Sequence, residues 1–268
     1  MLGASRWLLA GASTASGLLL FWRKRTREQV RCDNYHKPKV LVTGFADWRG
    51  TQDNLLRCRD NPSCRLLVGE ACEKPSIARC GSLAKFLRDQ APDVDWCFMV
   101  LPTIWGSSLI CDWLAFDCVF HVGLGVYDCH DRIVLEHGAT NARCGAQDAS
   151  GTVARCTLID QDNAAVCYDP HQSAVLAAVE GSRVGSDSFR VDVVGARMSN
   201  TYICNETHYK ALQAVGISAS EGGRLRQAYF IHIPQPERKD DFANLGCGVG
   251  ETILRVLAVA PGARPREM

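Results

Sequence analysis

The chain lacks a charge surplus. Its 30 Lys and Arg residues are matched by 29 Asp and Glu, a formal net charge of +1 over 268 residues. A protein that neutralises a phosphate backbone needs a basic face, so nucleic acid is excluded as the main partner. The chain also lacks a C-x-x-C pair, although it carries 14 cysteines. A zinc ribbon and a thioredoxin-type dithiol are therefore unsupported, and no metal or cofactor is implied. Those cysteines do not fall into regular pairs. A domain of this length does not need disulfide staples, and many unpaired thiols fit a reducing compartment, so a disulfide scaffold is not expected. Internal repeats and low-complexity tracts are missing. No acidic residue occurs before Glu28.

What is present first is an uncharged stretch, Trp7 to Trp22, followed by Arg23-Lys24-Arg25-Thr26-Arg27. As a helix it reaches roughly 24 Å, short of a hydrocarbon core of about 30 Å. Three readings stay open: a short membrane tether through residues 7–22, a mitochondrial presequence, and an incidental tail. The heavier basic flank follows the apolar stretch, so a tether leaves the remainder in the cytoplasm. Residues 1–37 are thus a hydrophobic segment with a basic and polar linker, and 38–268 form one domain.

From Pro38 onward, short apolar runs alternate with helical patterns. Lys39–Gly44, Trp96–Leu101, Asp117–Gly123, Phe189–Val194 and Tyr229–Pro234 read as inner strands, with Thr152–Ile159 as an edge strand. Asn61-Pro62-Ser63 opens a helix, with Pro in the first turn where its missing N–H is harmless. Ile77–Gln90, Gln172–Glu180, Cys204–Ala214 and Phe242–Ala260 also read as helical, the last interrupted by Gly246, Gly248 and Gly250, and Ser107–Leu114 as a short helix at best. Gly246–Gly250 follows no strand, so it is a helix start rather than a phosphate loop. The pattern predicts an α/β domain of three layers, α/β/α, with a mainly parallel, open twisted sheet. Sites in such sheets lie at the carboxyl ends of strands. That rule places the Gly44–Trp48 loop, the Gly123–Tyr127 loop, the Ala196–Cys204 turn and His232 along one edge.

Cys204 stands where a helix begins after a buried strand and a polar turn. The positive end of the helix dipole is expected to lower its pKa and favour the thiolate. A nucleophilic Cys needs an imidazole to take its proton. Of the 7 His residues, His232 ends a strand immediately before Ile233-Pro234. His121 lies inside an apolar strand and reads as a core histidine. His36, His171 and His208 read as loop or helix-surface residues, and His130 and His137 as members of a polar loop. Glu136, taken alone, is a loop carboxylate facing water.

Thr201-Tyr202-Ile203-Cys204-Asn205 resembles the second half of the cysteine signature of the pyroglutamyl-peptidase I family. Ala196, Ser199 and Asn200 stand where that signature has Ser, Ala and Gly. Phe230-Ile231-His232-Ile233-Pro234 is similar to the family's histidine element, and Glu136-His137-Gly138-Ala139-Thr140-Asn141 to its glutamate element. The resemblance spans roughly Lys39 to Ala260. It implies a cysteine-type omega peptidase, a thiol protease that removes N-terminal pyroglutamate from peptides through Cys204, His232 and Glu136. Thr43-Gly44-Phe45-Ala46-Asp47-Trp48 resembles the loop whose two aromatics sandwich the pyroglutamyl ring, which makes Phe45 and Trp48 substrate contacts; Tyr202, in the cysteine element, is a further candidate contact. Asn61, Asn141 and Arg143 fall on family polar positions near the site. A monomer and a homo-oligomer are both compatible with the resemblance.

Two other readings follow from the departures. The altered Ser199-Asn200 turn motivates a membrane-tethered relative that binds pyroglutamyl peptides but is catalytically impaired. A glutaminase-like amidase shares Cys, His and Glu chemistry, but its Gly-x-Cys-x-Gly elbow is missing.

Overall fold

The computed structural model describes residues 37–48, 55–69, 81–126, 130–145, 147–161, 165–169, 172–196, 200–238 and 241–259. The Trp7–Trp22 segment, its linker, residues 49–54 and residues 197–199 of the turn before Cys204 lie outside them.

The strands are β1 (Lys39–Phe45), β2 (Asp95–Leu101), β3 (Cys118–Val126), β4 (Arg132–His137), β5 (Ala139–Thr140), β6 (Val166–Cys167), β7 (Arg183–Val184), β8 (Phe189–Gly195) and β9 (Gln227–Pro234). The helices are α1 (Pro62–Val68), α2 (Ser82–Gln90), α3 (Gln172–Val179), α4 (Ile203–Ser220) and α5 (Asp241–Val259). Seven strands form one sheet in the order β2-β1-β3-β9-β4-β8-β7, and β5 and β6 pair separately. β1 is parallel to β2 and β3, β3 to β9, and β4 to β8, while β4 against β9 and β7 against β8 are antiparallel.

Every residue of β1 is buried, which explains its unbroken apolar run: both faces of the sheet are covered. Alternate residues enter two different cores. Val40, Val42, Phe120, Val122, Ile133, Leu135, Tyr229, Ile231 and Ile233 meet α1, α2, α3 and α5 on one face. Leu41, Phe45, Val119, Ala228 and Phe230 meet α4 on the other. The fold is therefore a mixed, mostly parallel three-layer α/β/α arrangement.

Local chemistry sets the helix boundaries. The Asn61 side chain accepts a hydrogen bond from the Ser63 N–H (3.1 Å), with Pro62 in the first turn. α5 runs unbroken through its glycines, against the expected interruption and against a helix start at Gly246. A methyl on Gly246 would collide with Ser82 of α2, and one on Gly250 with Phe86. The glycines let the two helices cross closely. Among the described residues α5 is the one helix long and apolar enough to cross a membrane, but half of it is buried in the core.

Other expectations change. The segment around Glu136 is not a polar loop but β4, an interior strand between β9 and β8. Thr152–Ile159 contributes only isolated bridges, Thr157 to Arg143 and Val153 to Gln147. Ser107–Ile110 and Trp113–Ala115 are two 3-10 turns. Cys58 pairs with Cys64 and Cys144 with Cys156, so the folded path of the chain brings together sulfurs whose spacing signals no pairing.

Candidate active site

The site is built on the α4 face of the sheet. Strand alternation puts His121, Gly123 and Gly125 of β3, Phe230 and His232 of β9, and Glu136 of β4 on that side. The register aligns Gly123 with His232 and Glu136 with Phe230, which makes Glu136 and His232 diagonal neighbours across the antiparallel pair. His232 Nδ1 lies 3.6 Å from Glu136 Oε1. Both residues are largely shielded from water, with side chains 13% and 9% exposed.

Cys204 arrives from above, in the first turn of α4. Cys204, His208, Ala211 and Val215 follow helical spacing and form the stripe that meets the sheet. A Cβ placed on Gly123 would lie 3.3 Å from Cys204 Sγ, and one on Gly125 would lie 2.5 Å from His232 Nδ1. Two alternate residues of one strand, about 7 Å apart, thus carry the sulfur and the imidazole above them. At 125 only glycine leaves room for the imidazole, and at 123 a Cβ would meet the Phe230 ring at 2.9 Å before the sulfur. The route differs from the expected one. β8 runs with β4 and against β9, so Gly195 ends beside His137, at the end of the sheet where β9 begins. Cys204 therefore reaches the pair across the face of the sheet rather than from its carboxyl edge.

Electrostatics at the sulfur also departs from expectation. Burial, and then the nearby Glu136 carboxylate, push the Cys204 thiol up from the usual 9.0 to about 12, while the backbone hydrogen bond at the helix start lowers it. That rise corresponds to ~4 kcal/mol against the thiolate. A helix N-terminus contributes ~0.3–1 kcal/mol in its favour. Desolvation wins, and the resting sulfur is a thiol.

His208 is not a surface residue. It is fully buried one turn beyond Cys204, with its ring centroid 5.9 Å from that of Phe230. Burial, with His232 and His137 nearby, drives its pKa down to about 3, and the Glu136 backbone pulls it partly back. His121 is buried as well. Its Nδ1 lies 2.7 Å from Thr43 Oγ1, its Nε2 finds no partner among the described residues, and burial holds its pKa well below the usual value. The one signal in the sequence for His208 was its four-residue spacing from Cys204.

Asn200, marked in the sequence only as a departure from the family signature, also reaches the site. Its side-chain amide donates to Glu136 Oε1 at 2.7 Å. Asn205, next to Cys204, accepts the Thr140 N–H (2.9 Å) and donates to the Thr140 and Ala142 carbonyls (2.8 and 2.9 Å). This fastens the first turn of α4 to the chain leaving β4.

The residues expected to bind substrate are spread around this centre. Phe45 is buried, its ring 6.1 Å from Phe230, and Trp48 is 38% exposed three residues later. Asn61 donates to the Ala46 carbonyl (2.9 Å) and caps α1, so it shapes the loop between Phe45 and Trp48. Asn141 exchanges two hydrogen bonds with the backbone of Asp160. The Arg143 guanidinium reaches Glu206 (3.3 Å) and Thr157 (3.2 Å). Tyr202 meets Trp105 edge-on at 5.3 Å and donates its hydroxyl to the Gln147 carbonyl. Cys144 and Thr201 exchange two hydrogen bonds, so the disulfide-closed hairpin 143–157 lies against the segment leading into Cys204. A groove of about 1020 Å³ follows α4 from Lys210 onward, and none of the expected site residues lines it. Among the described residues no three His, Cys, Asp or Glu side chains are grouped to hold a metal.

No protein-family model matches the chain, and no curated protein matches it in sequence. Solved structures do. Pyroglutamyl peptidase I from Bacillus amyloliquefaciens superposes with a TM-score of 0.55 at 19% identity, covering 87% of this chain and 100% of its own. Pyrrolidone carboxyl peptidase from Fervidobacterium islandicum gives 0.57 at 20% identity, covering 83% and 99%. A variant of pyrrolidone carboxyl peptidase from Pyrococcus furiosus gives 0.53 at 19% identity, covering 83% and 97%. The chain has the fold of these peptidases along nearly all of its described length.

Proposed function

We propose that this chain, built on the fold of the pyroglutamyl and pyrrolidone carboxyl peptidases, is a cysteine peptidase that removes an N-terminal pyroglutamyl residue from peptides. The observation that carries the reading is the convergence of one sulfur, one imidazole and one carboxylate, from three distant stretches of chain, above Gly123 and Gly125.

The chemistry follows from the protonation states. Cys204 rests as a thiol, so His232 must take its proton as Sγ attacks the pyroglutamyl carbonyl carbon. The carbonyl oxygen becomes an oxyanion, held by backbone N–H groups at the start of α4. The imidazolium, steadied by Glu136, gives its proton to the leaving amine as the C–N bond breaks. Water, deprotonated by His232, then attacks the thioester carbonyl. Free pyroglutamate departs and the thiol is restored. The ring to be bound is small, flat and neutral, so it needs apolar walls and few polar contacts. Phe45, Trp105 and Tyr202 belong to the same apolar cluster as Cys204, and with the exposed Trp48 they are the aromatic surface this reading assigns to the ring.

The test is hydrolysis of a pyroglutamyl-coumarin amide. The parent chain releases the fluorophore, and Cys204→Ala removes turnover while thermal unfolding stays unchanged. Turnover retained by Cys204→Ala refutes the assignment. Turnover of free glutamine in place of the pyroglutamyl amide would move the chain to the amidases.

A further inference from the structure

The Glu136 carboxylate sits in a confined place with the imidazole it serves. The residue is 7% exposed, and a buried carboxylate requires donors. One of its oxygens, Oε1, carries two relations at once: the Asn200 amide donates to it at 2.7 Å, and His232 Nδ1 faces it at 3.6 Å. The amide bond is short and charge-assisted, the strong class of hydrogen bond. The imidazole separation is longer than a hydrogen bond.

Asn200 is itself held. Its backbone carbonyl accepts from Thr140 Oγ1 (3.1 Å), and Thr140 is held through its N–H by Asn205, the neighbour of Cys204. The amide that grips the carboxylate is therefore tied to the same helix turn that carries the sulfur. We propose that Asn200 is a positioning residue of the reaction, fixing Glu136 Oε1 where the imidazolium of His232 requires it. This rests on the function proposed above and deepens it.

The amide does two things. It prevents the carboxylate from swinging away from His232. It also shares the carboxylate's negative charge, which moderates the pull of Glu136 on the imidazole proton. The titratable groups around His232 are Glu136 and, one position on, His137 from β4, and Cys204 and His208 from α4; β3 presents Gly125 there. Of these, Glu136 alone is touched by Asn200, so a change at Asn200 reaches His232 through that carboxylate.

The experiment compares Asn200→Ala, Asn200→Asp and Asn200→Ser with the parent. It measures kcat and KM on the coumarin amide from pH 5 to 9, and follows the His232 titration by NMR of histidine-labelled protein, assigned with His232→Gln. Asn200→Ala is expected to lower kcat by about 10- to 100-fold, the cost of a misplaced catalytic group, with KM within about twofold. The His232 midpoint and the acid limb of kcat/KM move upward together, because an unshared carboxylate holds the proton more strongly. Asn200→Asp places a second carboxylate against the first and moves both further. Asn200→Ser keeps a donor and recovers part of kcat. If Asn200→Ala does not fold, Asp and Ser carry the same comparison.

A kcat within twofold of the parent in Asn200→Ala overturns the proposal. So does a lowered kcat with an unmoved His232 midpoint, which is what a merely structural role gives. If the parent does not cleave the coumarin amide yet the midpoint moves, the substrate assignment falls and the positioning role stands.

Discussion

At the scale of single residues, the sulfur is the point on which the chemistry turns. A thiol pushed up to about 12 cannot act as a preformed thiolate near neutrality. In the proposed mechanism its nucleophilicity is generated by His232 during attack. The rate of iodoacetamide inactivation should therefore keep rising with pH beyond 9, where an ordinary cysteine levels off. A rate independent of pH between 6 and 8 would reveal a standing thiolate–imidazolium pair instead. Glu136 acts on this balance with two opposite signs. Its charge raises the Cys204 pKa, yet the same charge stabilises the imidazolium of His232. Glu136→Gln should thus alkylate faster than the parent at a given pH while hydrolysing the coumarin amide about 10²–10⁴-fold more slowly. If both rates fall together, Glu136 matters only for folding.

At the scale of elements, α4 and the strands beneath it share an unusual burden, two buried imidazoles behind the reacting pair. His208 has a folded-state pKa of about 3 against ~6.5 unfolded. Its contribution to stability is complete above pH 6.5 and is lost as pH falls toward 3, because the unfolded chain takes up the proton that the fold refuses. Between pH 7 and 5 this amounts to ~2 kcal/mol, and His121 is lowered in the same direction. His208→Phe should retain the fold at pH 7 and lose ~2 kcal/mol of the acid sensitivity in urea titrations run at pH 7 and 5. Equal sensitivity in parent and variant would show that His208 is open to water. The same elements show how far the sequence was readable. β1, β2, β3 and β9 announce themselves as apolar runs because both faces of the sheet are covered. β4 does not, since Ile133-Val134-Leu135 is short and its next α4-facing position is given to Glu136, so the functional residue itself interrupts the pattern. The places of Cys204 at a helix start and of His232 near a strand end were legible. The burial of His208 and the Asn200–Glu136 hydrogen bond were not, because an imidazole on a helix and an amide in a turn read as solvated until the sheet is laid beneath them. The protonated sulfur was missed because burial outweighs the helix dipole, and burial is a property of packing. The disulfides were missed because the folded path of the chain, not a spacing pattern, brings their partners within 5.6 and 4.2 Å between Cα atoms.

At the scale of the whole molecule, the first strand carries its own fastening. The Lys39 N–H donates to the Asp117 carboxylate at 2.6 Å, and Arg224 pairs with the same carboxylate at 2.7 Å while reaching the Lys37 carbonyl. This clamp lies at the end of the sheet remote from His232 and holds β1 beside β3 at the point where the described chain begins. A chain that starts at Lys37 retains the clamp, both cores and the three side chains of the proposed mechanism. It should keep kcat/KM on the coumarin amide within about twofold and a Tm within about 3 °C of the full chain. Breaking the clamp is the matched control. Asp117→Ala leaves Arg224 and the Lys39 N–H without their acceptor, a loss of ~1–3 kcal/mol, which lowers Tm by ~3–10 °C for a domain of this size. Because Asp117 touches none of the reacting groups, kcat below the transition should not change. A truncated chain that is folded but inactive would make residues 1–36 part of the catalytic unit. An Asp117→Ala chain with an unchanged Tm would show that the sheet itself, without the clamp, holds β1 in place.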